Sequence, residues 1–211
     1  MDGLRLGGRS SKSVTKDSSG MLPARDVKII LLHGNGGSTA GDAWYPWLER
    51  ECLALGLTVI NTTFPDNVKA RARFWLPFID ELGADERTVL VGHSSGAVAA
   101  LRYAETHRLH GSILVGVCHT DLGDADEAAS GYYDAPWRWD LIRDHQQWIA
   151  IYHSTDDPHI PAAEPRHIAA QLKCSYLEFG DRGHFVDAHA LPEIVPFLKR
   201  KLGIAPPQSR P

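Results

Sequence analysis

Ser94 stands at the centre of Gly92-His93-Ser94-Ser95-Gly96, a G-x-S-x-G run whose residue types suit a hydroxyl nucleophile. The run follows an apolar stretch ending at Val91 and opens a helix-period segment near Ser95. A serine on such a strand-turn-helix corner sits in a strained backbone conformation. Glycines two residues to either side are required there, because a Cβ would collide with the neighbouring strand and helix. The same letters can also make an inert tight turn, so partners elsewhere in the chain decide between the two. A serine hydroxyl is a poor nucleophile until a base takes its proton, and that base needs an acid to fix its tautomer and stabilise its charged form. On a sheet of parallel strands carrying this corner, the three must follow in the order Ser, Asp, His.

Two later loops supply the partners. Ser154-Thr155-Asp156-Asp157-Pro158-His159-Ile160-Pro161 follows an apolar run ending near His153, at the carboxyl end of a strand, where open α/β sheets place their sites. Asp157 fits the D-x-x-I-P arrangement that leads into the next helix and is the preferred acid; Asp156 is assigned a turn or capping role. Gly180-Asp181-Arg182-Gly183-His184-Phe185, after the last strand, offers His184 as the base; by itself it would read as a surface-loop histidine. A tetrahedral intermediate also needs two backbone N–H donors. Ser95, at a helix N-terminus with a favourable dipole, supplies one. The loop His33-Gly34-Asn35-Gly36-Gly37 supplies the other, with the Asn35 N–H as the preferred donor.

The elements that must position these groups alternate along the chain. Apolar, β-rich runs at residues 27–32, 57–62, 87–91, 112–117, 148–153 and 174–179 predict six strands. Residues 42–55, 69–81, 95–107, 163–172 and 191–202 predict helices. Most strands are apolar on both faces, as parallel strands covered by helices on both sides require. The expected architecture is a doubly wound, mostly parallel α/β-hydrolase fold. Residues 119–147 interrupt the rhythm with an acidic, Gly-containing stretch and then Tyr132, Tyr133, Trp137 and Trp139. A lid-like insertion is expected there, its aromatic residues serving as core packing or as an apolar pocket wall.

Length and composition bound the rest. A chain of 211 residues buries a self-sufficient core, and one domain is expected over residues 25–203, between tails at 1–24 and 204–211. A net charge of -4 gives no basic field to attract nucleic acid or anionic membrane, and neither is an expected partner. Cys52, Cys118 and Cys174, odd in number and widely spaced, read as reduced thiols of a cytoplasmic protein. No apolar run approaches the ~20 residues that span a bilayer. The first tail, with Arg5, Arg9, Ser10, Ser11 and Lys12, also keeps mitochondrial targeting open, although Asp2 and Asp17 argue against it.

Other chemistries fit less well. Gly34-Asn35-Gly36 lacks the third glycine of a dinucleotide fingerprint, because Thr39 stands in its place, and no Gly-Lys-Ser/Thr forms a P-loop. Among Asp121, Asp124, Asp126 and Glu127, a calcium loop started at Asp126 has Gly131 sixth but Trp137 twelfth. These carboxylates read as a solvated loop, or as partners for the ammonium group of an aminoacyl substrate. The histidines show no metal-ligand spacing, His93 is assigned to filling the nucleophile turn, and neither metal nor cofactor is expected.

Taken together, His33-Gly34-Asn35-Gly36-Gly37, Trp75-Leu76-Pro77-Phe78, Gly92-His93-Ser94-Ser95-Gly96, Arg102-Tyr103-Ala104-Glu105-Thr106-His107-Arg108, Asp121-Leu122-Gly123-Asp124, Ala129-Ser130-Gly131-Tyr132, Ser154-Thr155-Asp156-Asp157-Pro158 and Gly183-His184-Phe185 resemble the retinoblastoma-binding serine hydrolase family. The resemblance implies a compact α/β hydrolase with Ser94 as nucleophile, Asp157 as acid and His184 as base. It also implies small ester or amide substrates, including amino-acid esters and aminoacyl amides. Animal members bind the retinoblastoma protein through L-x-C-x-E. Here the stretch is Leu82-Gly83-Ala84-Asp85-Glu86, and Ala84 in place of cysteine argues against that partner. The rival expectation from another class is a non-catalytic interaction module on the same scaffold.

Overall fold

The computed structural model describes residues 26–205; the expected amino-terminal tail, 1–24, lies outside them, as does the second tail from 206 onward. In chain order the elements are β1 (Lys28–Leu32), α1 (Tyr45–Ala54), β2 (Thr58–Asn61), α2 (Ala72–Glu81), β3 (Thr88–His93), α3 (Ser95–Ala104), β4 (Leu109–Val115), α4 (Ala125–Ala128), α5 (Trp139–Asp144), β5 (Gln146–Ser154), α6 (Ala163–Leu172), β6 (Ser175–Phe179) and α7 (Ile194–Lys201). The six strands form one parallel sheet in the order β2-β1-β3-β4-β5-β6. Alternate strand residues face opposite sides. Ile30, Leu32, Leu90 and Leu114 join a core with α2, α3, α5 and α6, whereas Ile29, Leu31, Val89 and Val91 join one with α1 and α7. Strands β3 and β4 are buried along their whole length, which is why Val89 to Val91 and Ile113 to Val115 read as apolar on both faces.

The chain leaves β1 for β2 and then returns across β1 to β3, which reverses the strand order between β1 and β3. Helices α1 and α3 leave these two strands on opposite faces of the sheet. A crevice opens at the carboxyl ends between them, where such folds bind ligands.

Element ends differ from the expected ones for local reasons. α1 starts at Tyr45 instead of residue 42 because Asp42 Oδ2 accepts from the Thr39 N–H and hydroxyl, and Ala43 takes a positive φ of 46°. α2 starts at Ala72 because the Asp66 carbonyl accepts from the Lys69 and Ala70 amides and closes a turn just before it. β4 starts at Leu109, earlier than expected, because Gly111 is a packing residue and not a turn. A Cβ there would meet the Trp148 ring at 2.5 Å. Ile204, expected in the second tail, donates its N–H to Lys199 and packs on the core. Among the described residues no helix is long and apolar enough to cross a membrane.

The insertion is pinned to the body by one cation. Arg102 of α3, nearly buried, donates from Nε to the Tyr132 carbonyl at 2.6 Å and from Nη2 to the Ala135 carbonyl at 2.6 Å. Its Nη1 reaches Glu105 at 2.8 Å, and its guanidinium lies 3.6 Å from the Trp137 ring centroid. The Ala72 N–H adds a bond to the Ser130 carbonyl. These contacts tie residues 130–136 of the insertion to α2 and α3. Replacing Arg102 by alanine is expected to cost about 2–4 kcal/mol in chemical denaturation, since buried carbonyls lose a charged donor. A loss below about 0.5 kcal/mol would show that the insertion is held by other contacts.

Candidate active site

Ser94 holds φ at 53° and ψ at −122°, a region costly for any residue with a Cβ. The turn is wedged in place. A Cβ on Gly92 would lie within 3.0 Å of the Gly96 carbonyl, and one on Gly96 within 3.0 Å of the Leu32 and His33 carbonyls of the β1 end. The Ser94 N–H is held by the Val115 carbonyl at the end of β4 at 2.9 Å, and its own carbonyl accepts from Ala97 and Val98 to start α3.

The two expected partner loops meet beside it. His184 Nδ1 lies 2.7 Å from Asp157 Oδ2, and the Asp157 side chain is fully buried. Oδ1 of the same carboxylate accepts from the His159 and Ile160 amides at 2.8 and 3.0 Å. Burial by itself would lift the Asp157 carboxyl, but the His184 bond and the two amides outweigh it and hold it below the usual carboxylate value. Because the carboxylate stays charged, Nδ1 is the protonated ring nitrogen and Nε2 is left free toward the cleft. Asp156 serves the turn: Oδ1 accepts from the Ser154 hydroxyl at 2.5 Å and from the Gly183 N–H at 3.0 Å, which ties the two loops together.

His93, assigned from the sequence only to filling the turn, braces the His184 loop. It is fully enclosed, and burial drives its pKa down to about 3, so it is neutral. Its Nε2 donates to the His184 carbonyl at 2.7 Å, and Nδ1 accepts from the Tyr45 hydroxyl at 3.0 Å. His33 does similar work at the β1 loop. Its Nε2 accepts from the Phe64 N–H at 2.9 Å, which leaves the proton on Nδ1 to donate to the Gly34 carbonyl at 2.7 Å. The Gly34 carbonyl and the Asn35 N–H share one trans peptide group, so this bond turns the Asn35 N–H away from the ring. The Gly36 and Gly37 amides are taken by the Val68 and Asn67 carbonyls. Among the described residues, the Asn35 and Ser95 amides have no such partner. Nothing in the residue types alone distinguishes these bracing histidines from ordinary ones; the signal is their complete burial beside the loops.

Asn35, Ser94, Ser95 and His184 line one open cleft of about 1010 Å³ at the crevice between β1 and β3. Its apolar surface includes Val98, Ile160, Leu122 and Val186. The four aromatic residues of the insertion do not line it. Tyr132 is buried under α3, Trp137 and Trp139 stack with centroids 5.3 Å apart, and Tyr133 reaches only Cys118 Sγ, at 3.1 Å. The pocket-wall expectation for Tyr132, Tyr133, Trp137 and Trp139 is therefore corrected: Arg102 and the α2/α3 core draw them inward. The insertion's wall consists instead of Leu122, Asp124, Asp126 and Glu127. Asp124 Oδ1 caps α4 through the Asp126 and Glu127 amides, and Glu127 Oε1 accepts from the Asn35 side-chain amide at 2.8 Å. The Leu82 to Glu86 stretch sits at the other end of the sheet, folded into the turn before β3.

A parallel sheet of this order, with a serine corner after its third strand and acid and histidine loops after its fifth and sixth, defines the α/β-hydrolase fold. A family model described as serine hydrolase matches residues 29–199. The chain is 41% identical over 177 residues to the serine hydrolase RBBP9 of Rattus norvegicus, covering 82% of this chain and 95% of that one. It is 28% identical to the putative hydrolase YdeN of Bacillus subtilis, covering 76% and 86%. The crystal structure of the ydeN gene product from B. subtilis superposes with a TM-score of 0.77 over 84% of this chain and 99% of that one, at 24% identity. Est1E from Butyrivibrio proteoclasticus shares the fold at a TM-score of 0.66 and 14% identity, covering 86% and 90%. The chain belongs to the RBBP9-like serine hydrolase family.

The strain at Ser94 is measurable. Glycine at position 94 relieves the backbone, whereas alanine keeps it, so Ser94→Gly is expected to exceed Ser94→Ala in stability by about 1 kcal/mol in chemical denaturation. Equal stabilities, or a less stable glycine variant, would mean that the turn stores no strain.

Proposed function

We propose that the protein hydrolyses small ester or amide substrates through an acyl-enzyme on Ser94, with His184 as general base and Asp157 as its orienting acid. The observation that carries this reading is the 2.7 Å bond from buried Asp157 to His184 in the cleft onto which Ser94 opens. Nε2 of His184 takes the hydroxyl proton as Oγ attacks the substrate carbonyl, and the Asn35 and Ser95 N–H groups receive the charge that develops on the carbonyl oxygen. The imidazolium, stabilised by Asp157, then gives the proton to the departing alcohol or amine. A water molecule, deprotonated by His184, releases the acid and restores Ser94. No cofactor enters these steps.

The cleft supports a substrate class as well. Val98, Ile160, Leu122 and Val186 suit an aliphatic or aromatic acyl group, while the Asp126 carboxylate on the insertion wall accepts no hydrogen bond among the described residues. Asp124 is committed to its cap and Glu127 to Asn35. Asp126 is thus the carboxylate available to an ammonium group, which favours amino-acid esters and aminoacyl amides.

Purified protein is expected to turn over p-nitrophenyl esters and aminoacyl-coumarin amides. Ser94→Ala is expected to abolish turnover, and Asp157→Asn to lower kcat by about 10⁴ through loss of the correct tautomer. Full activity in folded Ser94→Ala would overturn the reading. Asp126→Asn is expected to lower kcat/KM for an amino-acid ester by about two- to fivefold relative to the matching ester without the amine, the size of one exposed charge contact. An unchanged ratio would remove Asp126 from substrate recognition.

A further inference from the structure

Glu127 lies 92 positions from Asn35 in sequence, on the insertion, yet its Oε1 receives the Asn35 side-chain amide at 2.8 Å inside the cleft. This contact is a direct bond between the insertion wall and the loop after β1. From the core side, His33 sets the Gly34–Asn35 peptide, and Asn67 and Val68 hold the next two amides. The Asn35 side chain itself has one partner among the described residues, and that partner is Glu127. The wall that carries Glu127 is immobilised by Arg102, and the α4 turn is closed by the Asp124 cap, so the carboxylate is presented at a fixed place. Burial, with Asp124 and Asp126 nearby, raises the Glu127 carboxyl above its usual value, as befits a group facing away from bulk water.

We propose that Glu127 is a positioning residue for the oxyanion hole: by gripping the Asn35 side chain it fixes the backbone N–H of the same residue against the substrate oxygen. The proposal rests on the reading of Asn35 as an oxyanion donor and adds that the insertion completes that donor site. An oxyanion donor works only when preorganised at hydrogen-bond distance from the developing charge, so loss of the grip is felt in kcat and not in substrate binding. The one side-chain carbonyl oxygen of a glutamine can still receive the Asn35 amide, whereas alanine offers no acceptor.

The test uses a plain p-nitrophenyl ester, which carries no ammonium group, with wild type, Glu127→Ala, Glu127→Gln, Asn35→Ala and the double variant Asn35→Ala/Glu127→Ala, beside Ser94→Ala. Glu127→Ala and Asn35→Ala are each expected to lose about tenfold or more in kcat with little change in KM. The double variant is expected to be no worse than Asn35→Ala, because the two side chains act as one unit. Glu127→Gln is expected to recover most of the lost rate. Unchanged kcat in Glu127→Ala, multiplicative losses in the double variant, or Glu127→Gln as poor as Glu127→Ala would each overturn the proposal. If Ser94→Ala is inactive while Glu127→Ala keeps its rate, the proposal fails alone; if Ser94→Ala remains active, the hydrolytic reading fails with it.

Discussion

Ser94 keeps a backbone conformation of φ 53° and ψ −122° because the end of β3 has nowhere else to go. Two glycines let the turn fold against β1 and α3 at distances that no Cβ would allow, and the Val115 carbonyl takes the serine amide from the β4 side. Packing therefore sets the height of the hydroxyl above the sheet. Strain of this kind persists only where the surroundings over-determine it, and here three strands and a helix do so. The other parts of the cleft are arranged around that fixed point.

Each of the remaining loops is braced to the turn or to its neighbours by a polar side chain. His93 links the turn to the His184 loop, His33 orients the peptide before Asn35, Asp156 joins the Asp157 and His184 loops, and Glu127 joins the β1 loop to the insertion. His33 and His93 owe this role to burial, which lowers their pKa values and keeps them neutral, with one ring nitrogen donating and the other accepting. His184 differs in having a charged carboxylate at 2.7 Å, the partner that its proposed role requires. One residue type thus serves as a strut or as the proposed base according to its immediate partner.

Much of this was legible in the sequence. The six strands were readable because buried parallel strands are apolar on both faces, and the serine, aspartate and histidine loops because each follows such a strand in a fixed order. The ends of α1 and α2 were not readable, since side-chain turns from Asp42 and a main-chain turn at Asp66 override helix propensity. The start of β4 was not readable either, because the role of Gly111, making room for Trp148, belongs to the next strand. The aromatic run of the insertion was ambiguous for a similar reason. Whether Tyr132, Trp137 and Trp139 face the cleft or the core depends on Arg102, a residue of α3 whose reach to three carbonyls leaves no mark in local pattern. The Glu127–Asn35 contact, across 92 positions, was equally invisible.

In the proposed reaction the Ser94 Oγ is the nucleophile that takes up the acyl group, and trapping it covalently tests this most directly. The protein is treated with a fluorophosphonate, and the adduct is located by tandem mass spectrometry of its peptides. A single adduct on Ser94, absent from Ser94→Ala and slowed in His184→Ala, is the result the account predicts. A folded protein that takes no label, or takes it on another residue, would contradict it.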